Sequence, residues 1–445
     1  MPRREPCCTL LGAEPGGSGS AVEGWGRMYL SSARARDAGL DRSVKGRGMR
    51  VPGNVVALGS VSLITDISSE MITAVLPVYL VFGLGVSLVS VGIVDGLYAG
   101  VTVLVSLLAA HVADRTQRRK AVAAVGYGLS AVSKLGLPAV GASVGGIAAV
   151  IGVDRTGKGL RTAPRDALIS LSSPPDLLGR SFGVHRAMDT AGALAGPLVA
   201  FLVLRAAPTA YDAVFVVSFC IAAMGLLVLL AFVRDRRDRI AAGVDVSLRA
   251  GLALLRQREF RTTTVQATLL ATVTLSDAFV YLLLQHRLDV PLVWFPLLPL
   301  GTASVYMVLA APVGRLADRW GRRRVFVAGN AAMLAVYVVL LAPLPAAAVL
   351  LLALALHGVY YAATNGVLMA LVTPSLPASL RTSGMAIVQS GTAAASFVSS
   401  VAAGVLWSWR GATFTLAVFV VGLTIALALV GTAAVGARRR ATASA

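Results

Sequence analysis

Long apolar runs fill the chain, and twelve of them reach the length that a helix needs to cross a lipid bilayer. Such a crossing takes roughly 20 mostly apolar residues. In lipid each run must be helical, because its backbone amides have to be satisfied within the segment. The predicted spans are residues 53–82, 91–112, 119–140, 143–168, 181–204, 211–233, 262–284, 293–314, 324–343, 347–372, 382–406 and 412–435. We therefore predict an all-α integral membrane protein with twelve transmembrane helices.

Composition agrees with this prediction and excludes several classes of protein. Hydrophobic residues make up 56% of the chain, charged residues 14%, and the mean hydropathy is +0.77, which excludes an ordinary soluble domain. The three cysteines, Cys7, Cys8 and Cys220, predict neither a disulfide framework nor a metal site, and no cofactor is expected. The sequence has no phosphate-binding loop of the form G-x-x-x-x-G-K-S/T and no hydrolytic triad, so we do not expect an enzyme.

The net charge of +19 is explained by topology and the lipid bilayer, without a nucleic acid partner. Basic residues gather in segments that a twelve-span protein places on one side, whereas the opposite loops hold little beyond Arg205, Arg287 and Arg410. The positive-inside rule then predicts that both termini are cytoplasmic. Only four of the forty basic residues are lysine and alanine is abundant, which is typical of a GC-rich bacterial genome. We expect a multi-pass protein of a bacterial cytoplasmic membrane.

The chain divides into five segments by composition. Residues 1–52 form a basic segment rich in Gly and Ser, predicted to be disordered, and part of it could precede a translation start at Met49. The other four segments are a six-helix bundle (53–233), a charged cytoplasmic linker (234–261), a second six-helix bundle (262–436) and a short cytoplasmic tail (437–445).

A short basic turn between apolar runs occurs once in each half of the chain. The second copy contains Gly314, Asp318, Arg319, Gly321 and Arg322. The first copy keeps Asp114, Arg115 and Arg118, but has Ala110 and Gln117 in place of glycine. These turns resemble the G-x-x-x-D-R-x-G-R-R loop of the major facilitator superfamily of transporters. The resemblance implies two six-helix bundles with the substrate path between them, and turns that hold the bundles together in the outward-facing state.

The fifth predicted span carries small residues at the spacing of a second motif. Gly183, Gly192, Gly196 and Pro197 resemble the antiporter motif of the same superfamily, which this chain leaves after the proline at Ala200 and Phe201. Small residues allow close helix packing, and Pro197 can bend the helix. The resemblance implies export.

Ionisable residues within predicted spans point to function, because burying charge in a membrane is costly. Asp66 and Glu70 lie four apart on one helical face, where they would titrate as a coupled pair and could carry protons. They could instead be counter-ions for the cations of the fourth span. There Arg155 and Gly159 match an R-x-x-x-G motif that the family associates with proton coupling, while Arg161 and Arg165 are expected to reach the membrane surface.

Two further groups of polar residues complete the candidate site. His185 and Asp189, one turn apart on the fifth span, could relay a proton or form a structural hydrogen bond. Other polar residues of the spans are expected to line the substrate cavity, although the aromatic ones could equally pack in the core or at the interface. They are Lys158, Asp277, His357, Tyr360, Tyr361, Asn365 and Gln389.

Three functions fit the sequence. The first is a monomeric secondary transporter coupled to protons that exports a small organic molecule, as the family's drug and metabolite exporters do. The second is an importer of an anionic metabolite, in which the cations of the fourth span bind the substrate. The third is a protein that resembles a transporter but senses a ligand or scaffolds partners.

Overall fold

All the secondary structure in the described part of the chain is helical. The computed structural model describes residues 51–98, 101, 105, 118–174, 177–235, 253–376 and 380–443, with the backbone alone at 381–383 and 433–443. Residues Val51–Ala445 form one compact unit. We number its helices α1 to α12 after the twelve predicted spans.

The first half contains six helices. They are α1 (Gly53–Val78, continued by a π-helical turn at Tyr79–Gly83), α2 (Leu88–Tyr98 in its described part), α3 (Arg119–Ala139), α4 (Val144–Ser172), α5 (Leu178–Ala206) and α6 (Tyr211–Phe232). Helix α1 packs against α4, α5 and α6, while α3 packs against α4 and α6. At one end Asn54 of α1 joins these helices, because its amide donates to Ser172 Oγ at 2.6 Å and accepts from Arg234 N at 2.8 Å.

The second half also contains six helices, two of them broken. They are α7a (Arg258–Thr272), α7b (Asp277–Leu288), α8 (Leu297–Trp320), α9 (Arg322–Leu341), α10a (Ala346–Thr364), α10b (Val367–Val372), and α11 and α12, which share Arg381–Ala443 and are separated at Gly411. Gly411 has φ 85°, a left-handed conformation that suits glycine. The first of these helices begins at Arg258, four residues inside the segment predicted as a linker.

Nine stretches of the described residues are long and apolar enough to cross a membrane. One of them, Gly384–Thr432, contains both α11 and α12. Helix α2 is described only over Leu88–Tyr98, which is too short to count, and α4 is excluded although it has 29 residues. Helix α4 carries six charged side chains, more than an apolar span tolerates. With these two helices, the predicted count of twelve is reached.

Glycines set how closely the helices of the first half approach. A side chain on Gly192 of α5 would overlap the backbone of Leu63, and a Cβ on Gly196 would lie 2.7 Å from Ile67 O. Both positions therefore need glycine where α5 crosses α1. No described residue lies within 4 Å of a Cβ placed on Gly183, the first member of the same predicted motif.

The two halves meet at one end of the helices. A side chain on Gly92 of α2 would overlap the backbone of Ser400 of α11, and one on Gly404 would overlap that of Leu88. The rings of Phe201 and Trp294 lie 5.0 Å apart between centroids. These contacts are remote from the face where α1 begins and where α8 turns into α9. We call that face the motif face and the other one the opposite face.

Candidate functional site

A cavity of about 510 Å³ lies between the two halves. Helices α1, α2 and α5 form one wall, and α7, α8, α10 and α11 form the other. Its described polar lining includes three carboxylates, Glu70, Asp95 and Asp277, and five tyrosines, Tyr98, Tyr281, Tyr306, Tyr360 and Tyr361. No lysine, arginine or histidine is among the described lining residues. The wall that a solute would contact is therefore acidic and aromatic.

Both broken helices of the second half are interrupted at this cavity. Helix α7 is interrupted between Thr272 and Asp277, and α10 at Asn365 and Gly366, where Gly366 has φ 79°. Backbone groups freed by the first break have partners, since Leu275 N donates to Tyr337 Oη at 2.7 Å and Ser399 Oγ donates to Thr274 O at 2.6 Å. Irregular backbone at membrane depth is tolerated where it lines a cavity, and it offers polar groups to a ligand.

Asp277 begins α7b and presents its carboxylate to the cavity. The hydroxyl of Tyr361 lies 2.6 Å and 2.7 Å from its two oxygens, to which it donates. Nε2 of the buried His357 lies 3.2 Å from Oδ1, a polar contact without the alignment of a hydrogen bond. The side chain of Asp277 remains 48% exposed. Tyr361 thus fixes the carboxylate while leaving it accessible.

Tyrosine rings surround Asp277. The rings of Tyr360 and Tyr361 lie 5.3 Å apart between centroids, and those of Tyr306 and Tyr361 lie 6.3 Å apart. His357 lies behind them, 5.7 Å from the ring of Tyr281. These distances are typical of edge-to-face aromatic packing, so the rings form one connected group.

On the other wall, Glu70 lies beside a polar pair that joins α1 to α2. Thr73 Oγ1 and Tyr98 Oη are 2.5 Å apart, and the guanidinium of Arg155 lies 3.8 Å from the centroid of the Tyr98 ring. Glu70 interacts electrostatically with Lys158 first, and less strongly with Arg155. Glu70 is therefore the carboxylate that links the cavity to the cations of α4.

Behind Glu70 the first half holds a network of buried charges. Asp66 Oδ1 lies 3.3 Å from Nη2 of Arg161, whose guanidinium also lies 4.7 Å from the centroid of the Tyr127 ring. Asp154 accepts hydrogen bonds from the Arg155 guanidinium and from Ser130 Oγ at 2.6 Å. These contacts tie α1 to α4 through opposite charges, and α3 to α4 through the Ser130 hydroxyl and the Tyr127 ring.

A second part of this network joins α4 to α5. Nη1 of Arg165 lies 3.6 Å from Asp189 Oδ1 and donates to Ser62 Oγ at 3.2 Å. Asp189 also lies 3.6 Å from Arg186, which is largely exposed. His185 is fully buried, and neither ring nitrogen has a hydrogen-bond partner among the described residues. The described partners of Asp189 are thus arginines rather than His185.

The expectation that Arg161 and Arg165 reach the membrane surface is wrong. Their exposed fractions are 3% and 6%, because carboxylates of neighbouring helices neutralise them inside the bundle. Arg155, with 3% exposure, is equally buried.

The predicted cavity residues divide into two groups. Asp277, Tyr360, Tyr361 and Asn365 line the cavity, as do Glu70 and Pro197 from the first half. Lys158, His357 and Gln389 are not among the lining residues. Lys158 interacts electrostatically with the lining residue Glu70, and His357 lies 3.2 Å from the lining residue Asp277.

The second basic turn contains a backbone conformation that favours glycine. Gly321 has φ 97°, and Nε of Arg322 lies 3.5 Å from Asp318 Oδ1. Arg322 also donates to Ala370 O of α10b at 2.9 Å, which ties the turn to its own half. A Cβ on Gly314 would meet none of the described residues within 4 Å, and Arg319 is exposed.

Of the first turn, Asp114 and Arg115 lie outside the described residues. Arg118 is exposed and immediately precedes α3.

Sequence reasoning missed three charged residues of the site. Asp95 lines the cavity, where Ser400 Oγ donates to its Oδ2 at 2.7 Å across the two halves. Asp154 and Lys134 form a buried pair at 3.5 Å. Each lies within a predicted span, so the rule that intramembrane charges mark function could have found them. Within the described part, no group of His, Cys, Asp and Glu side chains could hold a metal ion.

Comparison with known proteins identifies relatives over most of the chain. The family model described as Major Facilitator Superfamily matches residues 58–310 and 297–444. An uncharacterised MFS-type transporter of Methanocaldococcus jannaschii is 30% identical over 364 residues, which cover 80% of this chain and 88% of the relative.

Solved structures share the fold at low sequence identity. The nucleoside transporter NupG superposes with a TM-score of 0.74 at 14% identity, covering 85% of this chain and 98% of that one. A POT family transporter in complex with 5-aminolevulinic acid superposes with a TM-score of 0.70 at 15% identity, covering 86% and 96%. Likenesses at this level of identity concern the fold alone.

Proposed function

Because the chain belongs to the major facilitator superfamily, we propose that it is a proton-coupled secondary transporter that exports a small organic solute by alternating access. As a member of that family it is a multi-pass membrane protein with the twelve-helix fold and a small-molecule substrate. The observation that carries the proposal is the cavity between the halves, with Glu70 on its wall and buried cations behind it.

Glu70 is the proposed proton carrier. It is accessible from the cavity, and it interacts with Lys158, Arg155 and Asp66. Binding or release of a proton at Glu70 would change the charge balance between α1 and α4. A change in charge at a helix contact is a local event that can bias two global states, as alternating access requires. The proton affinity of Glu70 would be adjusted by neighbouring residues of this network, Asp66, Asp189 and His185.

Export is favoured by the antiporter-like spacing of Gly192, Gly196 and Pro197. The import of an anionic metabolite requires cations on the cavity wall, and no basic side chain is among the described lining residues. We also propose that the motif face is cytoplasmic and that the membrane is a bacterial cytoplasmic membrane, on the distribution of arginine along the chain.

The test uses purified protein in proteoliposomes and a solute identified by a thermal-shift screen of a compound library. We expect Glu70→Gln to abolish accumulation of the solute driven by a pH gradient, while counterflow of the solute continues. Counterflow needs alternating access but no net proton movement, so the two assays separate coupling from transport.

The matched control is Glu259→Gln, the same change at an exposed residue of the first turn of α7a. It should leave both assays unchanged. Gradient-driven accumulation at the wild-type rate in Glu70→Gln would remove Glu70 as the proton carrier. Solutes that bind but never cross the membrane would favour a sensor or scaffold.

A further inference from the structure

We propose that the cavity selects organic cations, and that the carboxylate of Asp277, with Asp95 facing it from the other half, holds the positive charge of the substrate. The inference rests on the proposed transport function and names its substrate class.

The three carboxylates of the cavity have different partners. Glu70 interacts with cations of α4, whereas the described partners of Asp277 are Tyr361 and His357, and those of Asp95 are the hydroxyls of Ser276 and Ser400. Asp95 and Asp277 are close enough to interact electrostatically. Asp277 has one described basic neighbour, the imidazole of His357, and neither Asp95 nor Asp277 has a described lysine or arginine partner. Two ionised carboxylates that face one cavity repel each other. A cation between them would relieve that repulsion.

The carboxylate of Asp277 is accessible from the cavity. Burying an ionised group without a partner is costly, so a carboxylate inside a membrane protein normally has a cation beside it. The described basic neighbour of Asp277 is the imidazole of His357, and 48% of the Asp277 side chain remains exposed, with both oxygens held by one hydroxyl of Tyr361. This geometry fixes the position of the carboxylate and still leaves room for a ligand.

Tyrosine rings line the cavity around Asp277. The negative faces of aromatic rings attract cations within ~6 Å, and groups of such rings bind quaternary ammonium compounds. Tyr281, Tyr306, Tyr360 and Tyr361 all line the cavity on the side of Asp277. On the other wall, the ring of Tyr98 already carries the guanidinium of Arg155. The wall around Asp277 is therefore the one that offers rings to a substrate.

The volume of the cavity suits an organic molecule. A volume of about 510 Å³ exceeds what a bare metal ion fills, and Leu76, Leu80, Val94 and Phe295 add apolar surface. No cluster of metal ligands was found among the described residues. The chemistry that matches is a bulky cation with an apolar or aromatic body, whose charge rests near Asp277.

The first measurement compares two ions of nearly the same shape and opposite charge. Equilibrium binding of tetraphenylphosphonium and of tetraphenylborate is measured on the purified full-length protein in detergent. We expect the phosphonium to bind at least about tenfold more tightly than the borate, because a buried charge contact is worth at least that ratio. Equal binding of the two ions, or tighter binding of the borate, would overturn the proposal.

The second measurement locates the charge. Asp277→Asn keeps the size of the side chain and should weaken phosphonium binding about tenfold or more, whereas Asp277→Glu should retain most of it. The matched control is Asp289→Asn, an exposed position beyond the end of α7b where asparagine tolerates the left-handed backbone at φ 48°. It should bind as the wild type does.

A further variant keeps the proposal testable if Asp277→Asn fails to fold. Asp95→Asn should also weaken phosphonium binding, since it removes the facing charge from the other half. Wild-type affinity in Asp95→Asn and in every folded variant of Asp277 would overturn the proposal.

These measurements use binding alone, so they separate the inference from transport. Selective phosphonium binding that depends on Asp277, in a protein that moves no solute, would contradict the transport function and leave the cation site standing. Transport of a neutral or anionic solute, with no preference for the phosphonium, would contradict the cation site alone.

Discussion

Asp66 and Glu70 lie one helical turn apart on α1, yet they have different surroundings. Asp66 is paired with Arg161 at 3.3 Å, and the pair is nearly enclosed, with side-chain exposures of 14% and 3%. Glu70 lines the cavity. The sequence presents the two carboxylates as one candidate pair. Their surroundings suggest a structural role for Asp66 and a functional role for Glu70.

We expect Asp66→Asn to lower stability more than coupling. Removing one partner of a buried ion pair costs about 3 kcal/mol or more, because an unpaired charge remains. The prediction is a lower melting temperature and a lower folded yield in detergent. Adding Arg161→Gln to this variant should recover part of the loss, since no buried charge is then left alone. A single variant that melts as the wild type does would contradict this role.

At this scale the sequence located the charged residues inside the helices better than it identified their partners. Asp66, Glu70 and Arg155 stand out because charge is rare in apolar runs. Helical periodicity gives the face of a residue but not the helix opposite it. Arg161 and Arg165 were therefore expected at the surface, although carboxylates of α1 and α5 pair with them inside.

Among the helices, the contact of α5 with α1 positions the proposed coupling site. Gly196 packs against Glu70 and Ile67, one turn beyond the contact of Gly192 with Leu63. The approach of the two helices therefore fixes where Glu70 stands relative to the cavity. A larger residue at either glycine would push α1 away from α5.

We expect Gly192→Ala to destabilise the protein by about 1–3 kcal/mol, the usual cost of overpacking. Gly183→Ala is the matched control on the same helix, where the added methyl group meets none of the described residues. That variant should be neutral or slightly more stable, since alanine favours helices over glycine by about 1 kcal/mol. Melting temperatures in detergent measure both. Equal effects of the two substitutions would show that the contact with α1 does not limit stability.

Helix number was predictable from the sequence, but helix continuity was not. Spans 7 and 10 read as unbroken apolar runs, yet α7 and α10 are interrupted beside the cavity. The interruption of α7 is stabilised by Tyr337 and Ser399, which come from distant helices. Hydropathy along one segment contains no information about such partners. Gly366, which takes a left-handed conformation, was the one local signal.

For the molecule as a whole, the proposed orientation predicts the result of reporter fusions. Reporters fused after residues 208 and 288 should be external, and those fused after residues 245 and 440 cytoplasmic, because arginine-rich segments remain inside. Alkaline phosphatase and a fluorescent protein give complementary signals for the two sides. The inverted pattern would reverse the proposed orientation, and a mixed pattern would contradict an even number of crossings.

The charges of α4 also bear on how the protein is made. Each charged residue near the centre of a helix costs about 2.5–3.5 kcal/mol when the translocon releases that helix into lipid, so α4, with six charges, is a poor candidate for release by itself. Its partners Asp66 on α1 and Lys134 on α3 are synthesised earlier. We therefore expect α4 to enter the membrane together with helices that are already synthesised, so that the first half assembles in order rather than by independent insertions.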